Sequence, residues 1–97
     1  MASTPEKRVK DAVKKLLAQY AVYQHWPVQN GMGKPCLDCH GCHCGQYFAI
    51  ETKAPGNKLT ERQHNTRIDI ENAGGIVFVI DGTEPKNFSE LKLWLRK

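Results

Sequence analysis

Apolar residues recur at helical spacing near the start of the chain, at Val9, Ala12, Val13, Leu16, Leu17 and Tyr20. That period predicts an amphipathic helix. Lys7, Lys10, Asp11, Lys14 and Lys15 fall on its solvated side. Thr4 supplies an N-cap, Pro5 suits the first helical position and Glu6 falls in the first turn. The helix should fade near Tyr23, ahead of His25, Trp26 and Pro27.

Beyond it the pattern shortens. Residues 24–29 read as a brief strand at a sheet edge, because Pro27 has no N–H for a ladder. Asn30 to Gly33 reads as a loop. Pro35 to His40 and Gln46 to Lys53 read as two more strands, closed into a hairpin by Gly41 to Gly45. Ala54 to Asn57 is a turn. Thr60 and Gln63 form a capping box that opens a second helix. It runs to Ala73, and Gly74 takes the left-handed position beyond its end. Ile76 to Ile80 is apolar at every position, which predicts a strand covered on both faces and central in a mixed sheet, with Val77 to Val79 in the core. Ser89 caps a last short helix whose Leu91, Trp94 and Leu95 face inward. The order α-β-β-β-α-β-α defines an α+β (α/β) class, a mixed sheet flanked by helices, with no internal repeat.

The chain has 97 residues, enough for one small domain over 1–97 with a thin core. A net charge of +4 favours an anionic partner. No apolar run reaches the roughly 20 residues of a membrane span, and no signal-peptide core is present. Those features point to a cytoplasmic protein with no membrane partner.

The chemistry concentrates between residues 36 and 63. Glu51 and Lys53 stand two apart at a strand end, so they share a face. Asp38 lies upstream across the hairpin. Two converging carboxylates suit a hard divalent cation, and a neighbouring lysine can position water or steady a phosphate. The plainer reading is an ion pair of little consequence for Glu51 and Lys53, and a turn residue for Asp38. Cys36, Cys39, Cys42 and Cys44 are dense enough to suggest a structural zinc, with His40 or His43 as substitute ligands; reduced, uncommitted thiols are the alternative. His25 and His64 read as surface residues near the anionic partner. Lys34, Lys58, Arg62 and Arg67 are candidate phosphate contacts or plain solubilising charge.

The joint pattern is more specific than any of its parts. An acid at Asp38 precedes Phe48-Ala-Ile-Glu51-Thr-Lys53 at a strand end. Then come Lys58-Leu-Thr-Glu-Arg-Gln63 opening a helix and Ala73-Gly-Gly ahead of an apolar strand. Over residues 30–80 this resembles the VRR-NUC domains of the PD-(D/E)xK nuclease superfamily, in particular the small stand-alone members such as those of bacteriophages. The cysteine-rich hairpin is a departure from that family's pattern. The resemblance implies a restriction-endonuclease-like core and a Mg2+- or Mn2+-dependent DNA endonuclease. In it Asp38, Glu51 and the Thr52 backbone carbonyl would be metal ligands and Lys53 would orient the attacking water. Gln63 would sit near the site, and Glu6 on the first helix would complete the acidic cluster. It also implies branched DNA such as four-way junctions as substrate, or nicking, and a homodimer. A zinc-stabilised nucleic-acid-binding module without catalysis, and a thiol-based metal or redox protein, are the competing classes.

Overall fold

A computed structural model of the chain describes residues 4–28 and 34–97. The loop expected over Asn30 to Gly33 lies outside the described residues, as does the last position of the strand expected over 24–29. The elements run α1 (Pro5–Leu17), β1 (Tyr23–His25), β2 (Cys39–His43), β3 (Gln46–Thr52), α2 (Glu61–Asn72), β4 (Ile76–Ile80), a 3-10 turn (Pro85–Phe88) and α3 (Ser89–Leu95). The class is α+β: the described residues form one four-stranded mixed sheet and three α-helices. Among the described residues no helix is long and apolar enough to cross a membrane.

Local chemistry fixes the helix starts. The Thr4 hydroxyl accepts from the Lys7 N–H at 3.1 Å, and Pro5 occupies the first turn. At α2 the Thr60 hydroxyl accepts from the Gln63 N–H at 3.2 Å, while Gln63 Oε1 accepts from the Thr60 N–H at 3.0 Å. The other end of α2 closes with Gly74 at φ 98°. There the Gly74 and Gly75 N–H groups donate to the carbonyls of Glu71 and Ile70 at 3.0 and 2.9 Å, a Schellman closure. These caps matter because α2 buries no residue fully. It lays only a half-buried line of Gln63, Thr66, Arg67 and Ile70 against the body.

The sheet order is β1-β2-β3-β4, antiparallel across the first two pairings and parallel between β3 and β4. Its faces are unequal. One face packs Phe48, Ile50, Phe78 and Ile80 against Val9, Val13, Leu16 and Leu17 of α1 and Leu91, Trp94 and Leu95 of α3. Each large apolar side chain fully buried there contributes about 1.5–3 kcal/mol. The other face offers only Leu37, Ala49 and Val77, with Ile70 of α2 laid over them.

Five expectations need correction. First, α1 ends at Leu17 rather than near Tyr23. Gln19 and Tyr20 donate to carbonyls three residues back, which tightens and closes the last turn, and Tyr23 already belongs to β1. Second, β1 spans Tyr23–His25 and stops before Pro27. Third, β2 starts four residues and ends three residues later than expected, and runs through Gly41. The turn is only Cys44 and Gly45, at φ 50° and 81° between the paired His43 and Gln46, as a two-residue hairpin requires. Gly41 lacks a side chain for a different reason: a Cβ there would lie 1.8 Å from the Tyr23 carbonyl oxygen. Fourth, β4 is an edge strand, and Val79 is only half-buried. Continuous apolar sequence reports cover on the two faces and says nothing about lateral neighbours. Fifth, Ser89 is the first residue of α3 rather than its N-cap, a position taken by Phe88, because the 3-10 turn leads directly into the helix.

The close passage of β1 over Gly41 makes a test. Gly41→Ala should cost more than about 2 kcal/mol in chemical denaturation, since backbone must separate to admit the methyl group. A loss within about 0.5 kcal/mol would contradict this crossing.

Candidate active site

At one end of the sheet the two carboxylates are locked together by main chain. Cys39 pairs with Ile50, so Asp38 lies just outside the ladder opposite Glu51. The Asp38 N–H donates to Glu51 Oε1 at 3.2 Å. In return, the Thr52 N–H and hydroxyl donate to Asp38 Oδ2 at 3.0 and 2.8 Å. In a strand, the N–H and C=O of one residue point to the same edge. The Thr52 carbonyl therefore faces the flank that holds Asp38. The next N–H, of Lys53, turns the other way and donates to the Ile80 carbonyl of β4 at 2.9 Å.

Both helices flanking the sheet reach this point. Gln63, in the first turn of α2, donates its amide Nε2 to Glu51 Oε2 at 2.8 Å. Its amide oxygen is the one engaged in the capping box, so the cap itself aims the NH2 group at Glu51. From α1 comes Lys10, whose Nζ lies 3.8 Å from Asp38 Oδ1. Lys53 Nζ lies 3.7 Å from Glu51 Oε2.

Glu51 is 3% exposed. Burial pushes its carboxyl up to about 7, and the neighbouring Asp38 charge adds to the rise. The Asp38 N–H and Lys53 pull the other way without balancing it, and Glu6 raises it further. The site is thus a nearly buried acidic pair with incomplete neutralisation. Its donors are all oxygen, and two carboxylates with a carbonyl suit a hard cation that keeps several waters.

The sequence-derived residues distribute as follows. Asp38, Glu51, Thr52, Lys53 and Gln63 come together. Glu6, exposed in the first turn of α1, is close enough for Glu51 to feel its charge. Among the described residues, however, no three His, Cys, Asp or Glu side chains converge to hold an ion by themselves. Lys58 and Arg62 are exposed on either side of the α2 N-cap. Arg67 is engaged by Glu71 at 3.3 Å. Lys34 borders a separate groove of about 760 Å³ between α2 and the β2–β3 hairpin, lined also by Tyr47, His40 and Ile70.

The cysteines do not assemble a zinc tetrad. Cys39 is fully buried in the main core, and burial pushes its thiol up to about 12. Cys42 is three residues along the same strand, hence on the opposite face, and is exposed. Cys44 sits in the turn, with Sγ 3.7 Å from the Lys97 carbonyl, and Cys36 is exposed beside the groove. Neither proposed substitute imidazole gathers the four. His43 Nε2 lies 3.7 Å from Cys44 Sγ alone among them, and the ring is packed edge-on to Trp94 with Nε2 3.0 Å from the Leu95 carbonyl. His40 meets His25 and Tyr47, with ring centroids 5.3 and 5.9 Å away.

Two contributors escaped the sequence reading. Lys10 was placed on the solvated side of α1, yet it follows the buried Val9 and lies one turn after Glu6, a spacing that puts it at the rim of the packed face. The Thr52 side chain carries no sequence signal of its own, standing between Glu51 and Lys53.

No protein-family model matches the chain, and no curated protein matches it at a significant level.

The raised Glu51 carboxyl has a definite consequence for stability. Protonated Glu51 is favoured in the folded state, so its contribution is fully present below about pH 4.5 and is lost as pH rises through about 7. Ionisation there costs folding about 3 kcal/mol. Glu51→Gln should therefore be more stable than the parent at pH 8 and nearly equal to it at pH 4.5, by denaturant unfolding at both values. A variant less stable than the parent at pH 8 would remove the claim that this carboxylate is ionised at a cost.

Proposed function

We propose that the protein is a divalent-metal-dependent DNA endonuclease with a VRR-NUC-like, restriction-endonuclease-like core. The observation that carries this reading is the reciprocal lock of Asp38 and Glu51 at the end of β3, with Lys53 and Gln63 against Glu51. A protein that only needed to fold would gain little from holding two carboxylates together away from water.

Mg2+ or Mn2+ would be held by Asp38 Oδ1, Glu51 and the Thr52 carbonyl, and would supply Lewis-acid polarisation of the phosphate together with a more acidic bound water. Thr52 holds the Asp38 carboxylate through two hydrogen bonds to Oδ2, leaving Oδ1 beside Lys10 Nζ at 3.8 Å. Gln63, from α2, holds Glu51 through one hydrogen bond to Oε2. Lys53 carries a positive charge 3.7 Å from Glu51 Oε2 and orients the attacking water or a non-bridging phosphate oxygen. Glu6 adds to the negative field that draws a cation in. Lys34, Lys58, Arg62 and Arg67 contact the DNA backbone. The substrate is branched DNA, such as a four-way junction, cut on two strands by the paired sites of a homodimer, leaving 5′-phosphates.

The test combines purified protein with plasmid and synthetic four-way junctions, in Mg2+, in Mn2+ and in chelator. Metal-dependent cleavage is expected, with losses of about 10²-fold or more in Glu51→Gln and in Lys53→Met. Clean protein that cuts neither substrate in either metal would sink the proposal. So would cleavage unchanged in both variants. The mass of the assembly in solution, measured alongside, should be that of two chains.

A further inference from the structure

Lys10 occupies a position that the proposed site leaves unexplained. Asp38 Oδ2 is taken up by the Thr52 N–H and hydroxyl, at 3.0 and 2.8 Å. Oδ1 is therefore the Asp38 oxygen left to face a cation, and it is the oxygen that Lys10 Nζ stands beside. The separation of 3.8 Å is beyond an N–H···O hydrogen bond, so charge alone holds the pair. The Lys10 side chain is 34% exposed, whereas that of Lys53 is 12% exposed. Of the two ammonium groups against the carboxylates, Lys10 is the one with room to move. A divalent ion at Oδ1 would repel it, and four methylenes give its head the reach to leave.

We infer that Lys10 is an exchangeable counter-ion, which neutralises Asp38 before a divalent cation binds, leaves Oδ1 when the cation arrives, and then contacts a phosphate of the nucleic acid. The inference rests on the proposed metal site. It adds a coupling between two ligands: the cation frees a phosphate-binding group, so each ligand strengthens binding of the other, and by the same factor. Lys53 is not placed for this exchange, because it is enclosed against Glu51 and its own main chain is tied to β4.

The test uses the full chain. Mn2+ affinity without DNA is measured by electron paramagnetic resonance for the parent, Lys10→Met, Lys10→Arg and Glu51→Gln. Lys10→Met should bind Mn2+ about two- to five-fold tighter than the parent, the size expected for losing a partly exposed competing charge. Lys10→Arg should stay near the parent. Binding of a fluorescein-labelled four-way junction is then followed over a salt series, once in Ca2+ and once in chelator. In Ca2+, Lys10→Met should lower the salt slope by about one phosphate contact; in chelator the slopes should coincide. Unchanged Mn2+ affinity in Lys10→Met overturns the inference, as does a slope lowered equally in both conditions, which would mean a permanent phosphate contact. The parent failing to bind Mn2+, or Glu51→Gln binding it as the parent does, overturns the metal site and this inference with it. A Mn2+ affinity lost only in Glu51→Gln, with Lys10→Met at parental affinity, leaves the site standing and removes the exchange alone.

Discussion

Asp38 is held by the strand that carries Glu51, and Glu51 is held by the residue that carries Asp38. This reciprocal hydrogen bonding is the constraint around which the rest is arranged. Two like charges brought together at low exposure repel strongly, and each must be supplied with donors for the fold to tolerate them. The supply comes from three directions: main chain and hydroxyl at Thr52, an amide from α2, and ammonium groups from Lys10 and Lys53. Burial, with the Asp38 charge beside it, still raises the Glu51 carboxyl against the pull of the Asp38 N–H and Lys53. On the proposed reading, a divalent cation would offset the charge that these two carboxylates carry together.

The capping box of α2 illustrates how one side chain serves two ends. As a cap, Gln63 needs only its amide oxygen and its own N–H. Its NH2 group is then pointed by the same planar amide, and Glu51 Oε2 lies where it points. The structural and site readings of Gln63 are therefore one geometry. The dependence also runs the other way. With no fully buried residue, α2 is positioned largely by its two caps and by Ile70, so the cap sets where the helix start meets the carboxylates.

Features legible in the sequence were those decided by neighbours within four residues. Thr4, Thr60 and Gly74 mark helix ends because capping is local chemistry. The meeting of Glu51, Lys53 and Gln63 at one candidate site was legible because strand parity and the cap fix their directions. What required the third dimension was less visible. The true extent of β2 depends on β1 crossing at Gly41, a contact seventeen and more residues distant that makes a strand glycine resemble a turn glycine. The edge position of β4 depends on what else joins the sheet, which its own composition cannot encode. The dispersal of the cysteines follows from the same strand parity that gathered Glu51 and Lys53: once β2 runs from Cys39 to His43, Cys39 and Cys42 must part.

Lys10 shows why the site was only partly readable from one strand. Seen from α1 alone it belongs with the lysines that cover the solvated side. Seen from β3 alone the carboxylates have only Lys53. Its position follows from α1 and α2 covering opposite faces of the sheet and both reaching the end where β3 stops, one with an ammonium and the other with an amide. The two contacts differ in kind. Gln63 makes a directional hydrogen bond at 2.8 Å from an amide already fixed by its cap, whereas Lys10 makes a looser charge contact at 3.8 Å from a flexible stem. A donor that must hold a carboxylate in place should be rigid and neutral, so that it does not compete with an arriving cation. A group that keeps the vacant oxygen tolerable until then should be charged and easily displaced. On the proposed reading the α2 side would supply the first and the α1 side the second, with Gln63 holding Glu51 and Lys10 standing beside Asp38 Oδ1.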